Sequence, residues 1–342
     1  MADNGDFKSE FNSRYSTLLK RILRILSNNS RTKISDIAKR SSVSRRTATL
    51  KLNAIEKELK ISYTLELNEE RLGLSRPHLI LVKFNAKPDY RKISELLKQS
   101  YIPQFAASVK GTYDMIIYAD AMSGKDYAYW DKSMRTLLAD YKVEWYSSEV
   151  VHRQLGFFPL RNEAIEKLNI KEKYKKMLMI LNSNSKIRFQ ELAKQMNMNV
   201  NTAAYNFNNL MKMNYIENFT LTMDKPKDIS LMSFFSKYIP SQGYESAAAM
   251  ARAGFTSDDE DPLISRYLIT APLIGSHDFF TLGAFDSFDI AYKKDVLYHK
   301  NLFRKFKIKV LYGEINEILL GKLPIRTIDT KKEYKTLVWS TK

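Results

Sequence analysis

The stretch that decides the fold is "ILSNNSRTKISDIAKRSSVSRRTATLKLNAIEKELKI", residues 25–61, because the chain contains it twice. A shift of 155 positions places it without a gap on "ILNSNSKIRFQELAKQMNMNVNTAAYNFNNLMKMNYI", residues 180–216. Identical pairs include Ile25/Ile180, Leu26/Leu181, Ala38/Ala193, Lys39/Lys194, Thr47/Thr202, Ala48/Ala203, Asn53/Asn208 and Ile61/Ile216. An internal repeat of this length indicates a duplicated structural unit.

Each copy predicts three helices. In the first copy an apolar stripe at helical spacing consists of Tyr15, Leu18, Leu19, Ile22, Ile25 and Leu26. A short second helix begins near Ser35 as its N-cap, and a tight turn follows at 41–43. Ser44 then caps a third helix, whose buried side is Ala48, Leu52, Ile55 and Leu59. Two helices joined by a short turn, followed by the alternating strand "YTLEL" at 63–67, predict a winged helix-turn-helix.

The pattern after each copy is mixed. Strands and helices alternate as β-α-β-β-α-β, which is the ferredoxin-like order, although the first helix of the second set, within 243–253, is weak. The predicted fold class is therefore α+β, with a winged helix-turn-helix plus a ferredoxin-like βαββαβ domain, the pair duplicated in one chain. The predicted divisions are an arm (1–13), a first winged helix-turn-helix (14–73) and ferredoxin-like domain (74–160), a linker (161–170), a second winged helix-turn-helix (171–224) and ferredoxin-like domain (225–324), and a tail (325–342). The acidic stretch 254–262 is predicted to be a loop.

Composition narrows the classes of function. The 342 residues carry a formal net charge of +17, which favours polyanionic partners. Cysteine is absent, which excludes disulfides, a thiol nucleophile and any Cys-ligated metal centre. No apolar run has the length needed to cross a bilayer, so we expect a soluble cytoplasmic protein without a membrane partner; contact of its basic surface with a membrane is the weaker alternative.

The positive charge is concentrated in the repeated units. Residues 14–61 hold thirteen Lys and Arg against three Asp and Glu, and residues 169–216 hold eight against two. These two windows therefore supply +16 of the net +17. A basic excess confined to predicted helix-turn-helix units is typical of proteins that contact DNA phosphates, whereas a merely solvated surface would be more evenly basic.

The residues expected to contact double-stranded DNA lie mainly on the third helix of each copy. In the first copy they are Ser44, Arg45, Arg46, Thr49, Lys51 and Asn53; in the second they are Lys186, Arg188, Asn201, Tyr205 and Asn208. Arginine can bind guanine and asparagine can bind adenine through two hydrogen bonds each, although Arg45 and Arg46 could equally contact phosphates alone. The second helix could contact the backbone, read A·T-rich sequence or have lost base contact, and we expect weak or non-specific contact there.

The chain resembles the Lrp/AsnC family of transcription regulators over most of both halves. The resemblance rests on Val43–Ser44 and Lys51 in the recognition region, Leu72–Gly73 after the wing, and the hairpins "GTYD" (111–114) and "GSHD" (275–278). It implies a DNA-binding regulator that forms homodimers or higher oligomers through its ferredoxin-like domains. It also implies a site for an amino acid or other small effector at Gly111, Tyr113, Asp114, Gly275, His277 and Asp278. From the residues alone, the alternative interpretation is that these hairpin residues only shape turns or pack within the protein.

The sequence contains no motif for catalysis. No His pair, phosphate-binding loop or nucleophile elbow is present, so we expect no metal, no cofactor and no enzymatic activity. The aromatic run Tyr127, Tyr129 and Trp130 could stack on a cofactor. The helical spacing of Trp130, Met134, Leu137 and Leu138 instead favours packing on the sheet. Two alternatives stay open: an enzyme similar to siroheme decarboxylases, which share this domain plan, and an architectural protein that binds DNA without sequence preference.

Overall fold

The computed structural model describes residues 17–153, 156–225, 229–237, 267–285, 287 and 309–325. The predicted arm (1–13), the helices expected within 243–253 and 289–306, the acidic loop (254–262) and nearly all of the tail lie outside these residues. The described chain is a mixed α+β fold.

The first repeated unit contains the three expected helices. They are α1 (Thr17–Asn28), α2 (Ile34–Arg40) and α3 (Arg45–Glu58), followed by strand β1 (Ser62–Leu67). The Ser44 hydroxyl accepts a hydrogen bond from the backbone N–H of Thr47, which confirms its capping role. The prediction for Ser35 is wrong, because α2 begins one residue earlier and Lys33 holds the N-cap position without a side-chain bond.

The second unit repeats this arrangement. A short helix, α6 (Asn162–Lys167), lies within the predicted linker and is followed by α7 (Glu172–Ser183), α8 (Phe189–Gln195), α9 (Val200–Lys212) and β6 (Ile216–Met223). Strand β1 pairs antiparallel with β6, and β6 also pairs with β11 (Leu323–Ile325). The predicted wings of the two units therefore belong to one three-stranded sheet.

The first half of the remaining chain is β2 (His78–Phe84), α4 (Tyr90–Lys98), β3 (Pro103–Gly111), β4 (Met115–Ala119), α5 (Gly124–Leu137) and β5 (Val143–Val150). The second half contributes β7 (Ser230–Lys237), β8 (Tyr267–Gly275), β9 (Phe279–Phe285) and β10 (Lys309–Leu320). These eight strands close into a barrel in the order β10-β3-β4-β2-β5-β8-β9-β7. The sequence predicts two four-stranded sheets but not their closure, which joins them at the β3–β10 and β5–β8 edges.

Successive side chains of the barrel strands point alternately into two hydrophobic cores, one inside the barrel and one between the barrel and its helices. On β2, Leu79 and Leu81 face the barrel interior, while Ile80 and Val82 pack outside with residues of α4 and α5. The interior is filled by aromatic side chains, among them Phe158 from the segment after β5, which stacks on Phe105 with ring centroids 4.3 Å apart.

Gly156 lets the segment that follows β5 pass close to β8. Its φ is +68°, and a Cβ there would lie 1.9 Å from the Leu268 carbonyl oxygen, so no other residue fits without movement of the backbone.

Candidate nucleic-acid interface

Helix α3 presents the predicted DNA-contact residues to solvent. Ala48, Leu52 and Ile55 are buried against the rest of the unit, and this fixes which face is free. That free face carries exposed side chains at every position predicted for the first copy, namely Ser44, Arg45, Arg46, Thr49, Lys51 and Asn53. Within the described ranges, no carboxylate forms an ion pair with Arg45, Arg46 or Lys51. The three cations are therefore available to an external anion.

Helix α9 is built in the same way but has a different chemistry. Asn199 caps it by accepting a hydrogen bond from the Thr202 N–H, and the predicted contacts Asn201, Tyr205 and Asn208 are exposed. The position equivalent to Lys51 is Asn206, which is buried. Its side-chain oxygen accepts a hydrogen bond of 2.9 Å from Lys173 Nζ. This face consequently lacks the free cations of α3.

The structure separates the other two predicted contacts. Arg188 is exposed immediately before α8, whereas Lys186 lies between the two units. The Lys186 ammonium is 3.7 Å from the Glu56 carboxylate and 4.1 Å from the ring centroid of Tyr63, whose hydroxyl donates to the same Glu56. Burial lowers the pKa of Lys186, and Glu56 opposes that shift. The prediction of a DNA contact at Lys186 thus falls on a side chain that joins the units to each other.

Arg31 occupies the matching place on the other side of this junction. Its guanidinium donates to the carbonyl oxygens of Ser185 (2.6 Å) and Ile187 (3.2 Å), and burial lowers its pKa. It also lies over the rings of Phe189, Phe207 and Phe219, at 5.3, 5.2 and 5.7 Å. The Ser30 and Ser185 hydroxyls, 155 residues apart, hydrogen-bond to each other at 2.6 Å. Equivalent residues of the repeat therefore meet around an approximate two-fold axis and hold α3 and α9 in one body.

The two hairpins predicted to bind an effector lie at the two seams of the barrel, which are the β3–β10 and β5–β8 edges where its two halves join. At the first seam, the N–H and hydroxyl of Thr112 both donate to the Tyr312 carbonyl oxygen, and a Cβ at Gly111 would lie 2.4 Å from that oxygen. Tyr113 is buried and its hydroxyl lies 2.7 Å from Ser233 Oγ. The Asp114 carboxylate accepts a hydrogen bond of 2.8 Å from the Phe84 N–H.

The second hairpin repeats these contacts. The N–H and hydroxyl of Ser276, after Gly275, both donate to the Ser147 carbonyl oxygen. His277 is buried, and its N–H donates to Ser148 Oγ at 3.0 Å. The Asp278 N–H donates to the Ser236 carbonyl oxygen. The six predicted ligand residues therefore lie where the two halves join, and the polar groups named here bond to the protein.

A buried polar cluster that sequence analysis did not identify lies where one end of the barrel meets the three-stranded sheet. It contains Asp120 and Tyr118 on the strand β4 side, Arg153 after β5, and Glu69 after β1. Arg153 lies 3.4 Å from Glu69 and 3.8 Å from Glu217. In the part of the chain that the structure describes, neither Asp120 carboxylate oxygen nor the Tyr118 hydroxyl has a side-chain hydrogen-bond partner.

The electrostatics of this cluster follow from burial. Burial, reinforced by Glu69, raises the pKa of Asp120 well above its ordinary value, and Arg153 only partly opposes this shift. Burial also raises the pKa of Glu69. For Arg153 burial acts to lower the pKa, but Glu69 and Tyr118 reverse that effect and raise it. The sequence gives little indication of this cluster, because its residues lie in or just after strands that are far apart in the chain and only the tertiary fold brings them together.

A second polar group lies under α5. The Asp131 carboxylate accepts hydrogen bonds from Trp145 Nε1 (2.7 Å) and the Tyr127 hydroxyl (3.3 Å), and pairs with Arg135 at 2.9 Å. The Tyr127 ring stacks on His78 with centroids 3.5 Å apart. Of the residues predicted to pack at helical spacing, Trp130, Met134 and Leu138 are buried, and so is Tyr127. Leu137 and Tyr129 are exposed, so the predicted packing of Leu137 is wrong.

The described residues offer neither a metal site nor a membrane-spanning helix. They contain no group of three or more His, Asp or Glu side chains arranged to hold a metal ion. They also contain no helix with the length and apolar character required to span a membrane.

Comparisons with known proteins give a fold but no family assignment. No protein-family model matches the chain, and no curated protein matches its sequence. The solved siroheme decarboxylase NirDL aligns with 94% of this chain and 98% of its own, at a TM-score of 0.57 and 11% identity. Its complex with an iron-uroporphyrin III analogue aligns over 94% and 99%, at a TM-score of 0.56 and 11% identity.

Regulators of the Lrp/AsnC type also occur among the structural neighbours, over a smaller part of the chain. A transcriptional regulator from Neisseria meningitidis, solved with L-methionine, aligns with 40% of this chain and 90% of its own, at 18% identity and a TM-score of 0.36. The leucine response regulatory protein of Mycobacterium tuberculosis aligns over 40% and 93%, at 16% identity and a TM-score of 0.34.

These comparisons correct one prediction. The expectation of no enzymatic activity is contradicted, because the protein that shares the fold over 94% of this chain is an enzyme. Of the functions weighed from the sequence, the comparisons favour the decarboxylase-like alternative over the regulator. A fold of this kind carries unrelated functions, so the lack of a catalytic motif in the sequence does not exclude an enzyme.

Proposed function

We propose that the chain binds double-stranded DNA through the exposed face of α3 and acts as a transcription regulator. In this interpretation each half is a winged helix-turn-helix followed by a ferredoxin-like domain. The strand orders β5-β2-β4-β3 and β10-β7-β9-β8 support the duplication, because both follow the 4-1-3-2 order of a βαββαβ sheet. DNA contact at the named residues, and an effector at the seams, remain predictions.

The observation that carries the proposal is the set of unpaired cations on α3. Arg45, Arg46 and Lys51 are exposed on a helix whose opposite side is buried, and no acidic group of the described chain neutralises them. Such a helix fits the major groove, where arginine can bind a guanine edge or the flanking phosphates. The free cations of α3 and the neutral face of α9 suggest that the first helix makes most of the contacts.

Salt dependence tests this proposal. Each phosphate contact contributes about −0.9 to the slope of log K against log salt, so loss of two contacts reduces the slope by about 2. We expect Arg45→Ala/Arg46→Ala to show this reduction in fluorescence anisotropy with duplex DNA. The matched control is Arg91→Ala/Lys92→Ala, which removes two exposed cations from α4 and should leave the slope unchanged. Equal slopes for both double variants would refute α3 as the interface.

A second candidate function is decarboxylation of a tetrapyrrole. The observation that favours it is the alignment over 94% of the chain with a siroheme decarboxylase, one structure of which contains an iron-uroporphyrin analogue. Decarboxylation releases carbon dioxide and adds a proton to the carbon left behind, so it requires a proton source. Asp120 is a buried carboxyl with a raised pKa at one end of the barrel, which is compatible with that requirement.

This candidate has its own test. The purified full chain is mixed with iron uroporphyrin III, and the absorbance spectrum is recorded before the product is analysed by mass spectrometry. A shifted spectrum together with loss of carbon dioxide would support the enzyme. An unchanged spectrum would exclude it for this substrate and leave the DNA experiment unaffected.

A further inference from the structure

Helices α3 and α9 differ in their charged residues, but they share a large exposed side chain at one position of the repeat. Leu50 on α3 and Tyr205 on α9 occupy the same position of the 155-residue repeat, and their side chains are 61% and 65% exposed. At about 100° per residue, Leu50 lies opposite the buried stripe of Ala48, Leu52 and Ile55, at the centre of the free face.

The residues around Leu50 and Tyr205 differ between the two helices. The similarity at this one position therefore needs an explanation. Arg45 and Arg46 correspond to Val200 and Asn201, and Lys51 corresponds to Asn206, so the polar surroundings have changed. A large side chain with an apolar surface, the leucine in one copy and the tyrosine ring in the other, nevertheless lies at the centre of both faces. Isolated exposed apolar residues are common, but the same repeat position on both helices is not explained by packing within the chain, because neither side chain is buried.

We infer that Leu50 contacts the 5-methyl group of thymine in the major groove, with Tyr205 placed to do the same in the second half of the site. This inference rests on the proposed DNA binding and specifies which base the α3 face distinguishes. The occupant is argued from charge, since Arg46, four residues before Leu50, lies on the same face of α3, and the exposed cations Arg45 and Lys51 lie on the same helix and suit a polyanion. Apolar contact with the thymine methyl is a recognised means of base discrimination in the major groove.

The expected size of the effect follows from the methyl group alone. Burial of one methyl-sized group contributes about 0.8 kcal/mol, which corresponds to a change of about fourfold in affinity. Removal of the 5-methyl, by replacing thymine with deoxyuridine, should therefore weaken binding about fourfold at a contacted position and leave other positions unchanged.

The experiment uses the full chain and a duplex selected from random-sequence DNA. Each thymine of that duplex is replaced singly by deoxyuridine, and affinity is measured by anisotropy for the natural protein, Leu50→Ala and Leu50→Met. We expect the natural protein and Leu50→Met to lose about fourfold at one or two thymines. Leu50→Ala should bind the thymine duplex about as weakly as the natural protein binds the deoxyuridine duplex, with no further loss on substitution of the thymine that Leu50 contacts. A loss at a thymine contacted by Tyr205 should persist.

Leu137→Ala is the matched control, because Leu137 is a 54% exposed leucine on α5, away from the α3 face. It should behave as the natural protein does. Retention of full deoxyuridine sensitivity by Leu50→Ala would overturn the inference, as would selective binding that no thymine replacement affects. Failure of the natural protein to bind any duplex would instead refute the proposed function itself.

Discussion

Replacement of Asp120 by asparagine should stabilise the protein above neutral pH. Asparagine keeps the shape of the side chain and removes the ionisable group. Asp120 is fully buried, and no side chain of the described residues hydrogen-bonds to its oxygens. Among these residues, only the backbone of Ala121 favours the ionised form by hydrogen bonding, while the nearby Arg153 is paired with Glu69 and Glu217. At pH 8 the unfolded chain ionises this carboxyl freely, whereas the folded state resists its ionisation, which costs about 1.4 kcal/mol for each unit by which the pKa is raised. Asparagine has no such cost, so we expect a gain of at least about 1 kcal/mol at pH 8.

The pH dependence has a definite sign. Because the pKa of Asp120 is raised in the folded state, the folded protein binds this proton more tightly than the unfolded chain does. The natural protein should therefore be stabilised at low pH, and this stabilisation should disappear as the pH rises from the ordinary value of 3.8 through the raised value. Asp120→Asn has no such titration, so its advantage should shrink as the pH falls.

Urea denaturation at several pH values, followed by tryptophan fluorescence, measures this difference. Asp131→Asn is the control, because its carboxylate is bonded to Trp145 and Arg135 and its neutralisation should reduce stability at pH 8. A destabilised Asp120→Asn protein at pH 8 would refute the reasoning, since it would mean that the ionised carboxylate of Asp120 is well paired.

Three further substitutions test the packing. Arg31→Ala removes two hydrogen bonds and the contact with three aromatic rings, and should lower the free energy of unfolding by about 2–4 kcal/mol in urea denaturation. Gly156→Ala places a Cβ 1.9 Å from the Leu268 carbonyl oxygen, and should lower the thermal midpoint or prevent soluble expression; unchanged melting would contradict the position of this segment. Tyr113→Phe removes the buried hydroxyl bonded to Ser233 and should cost about 1 kcal/mol, and no loss would argue against that bond.

The helices and strands were predictable because their apolar periodicity is local. Ser44 as a cap and the buried positions Ala48, Leu52 and Ile55 follow from four consecutive turns of sequence. The closure of the barrel was not predictable, because a period of two tells which face of a strand is buried but not which strand lies at its edge. The pairing of β1 with β6 could not be predicted for the same reason.

The candidate site was predictable only in part. The exposure of Arg45 and Arg46 follows from helical geometry, but their contact with DNA remains a prediction. Lys186 has the charge expected of a phosphate contact, and only the fold places it beside Glu56. The cluster around Asp120 depends on residues from β1, β4 and β5 meeting at one end of the barrel, which no linear spacing could indicate.

Strands β1 and β6 join the two repeated units within one polypeptide, and this bears on how the two units can differ. A regulator assembled from two identical subunits must present the same amino acids to both arms of its target, so its operator tends towards inverted symmetry. Under the proposed function one polypeptide presents both arms, which carry different residues at equivalent repeat positions while β1 and β6 pair with each other. The target of such a chain has no need to be a palindrome, and each of its arms can drift without forcing a matching change in the other.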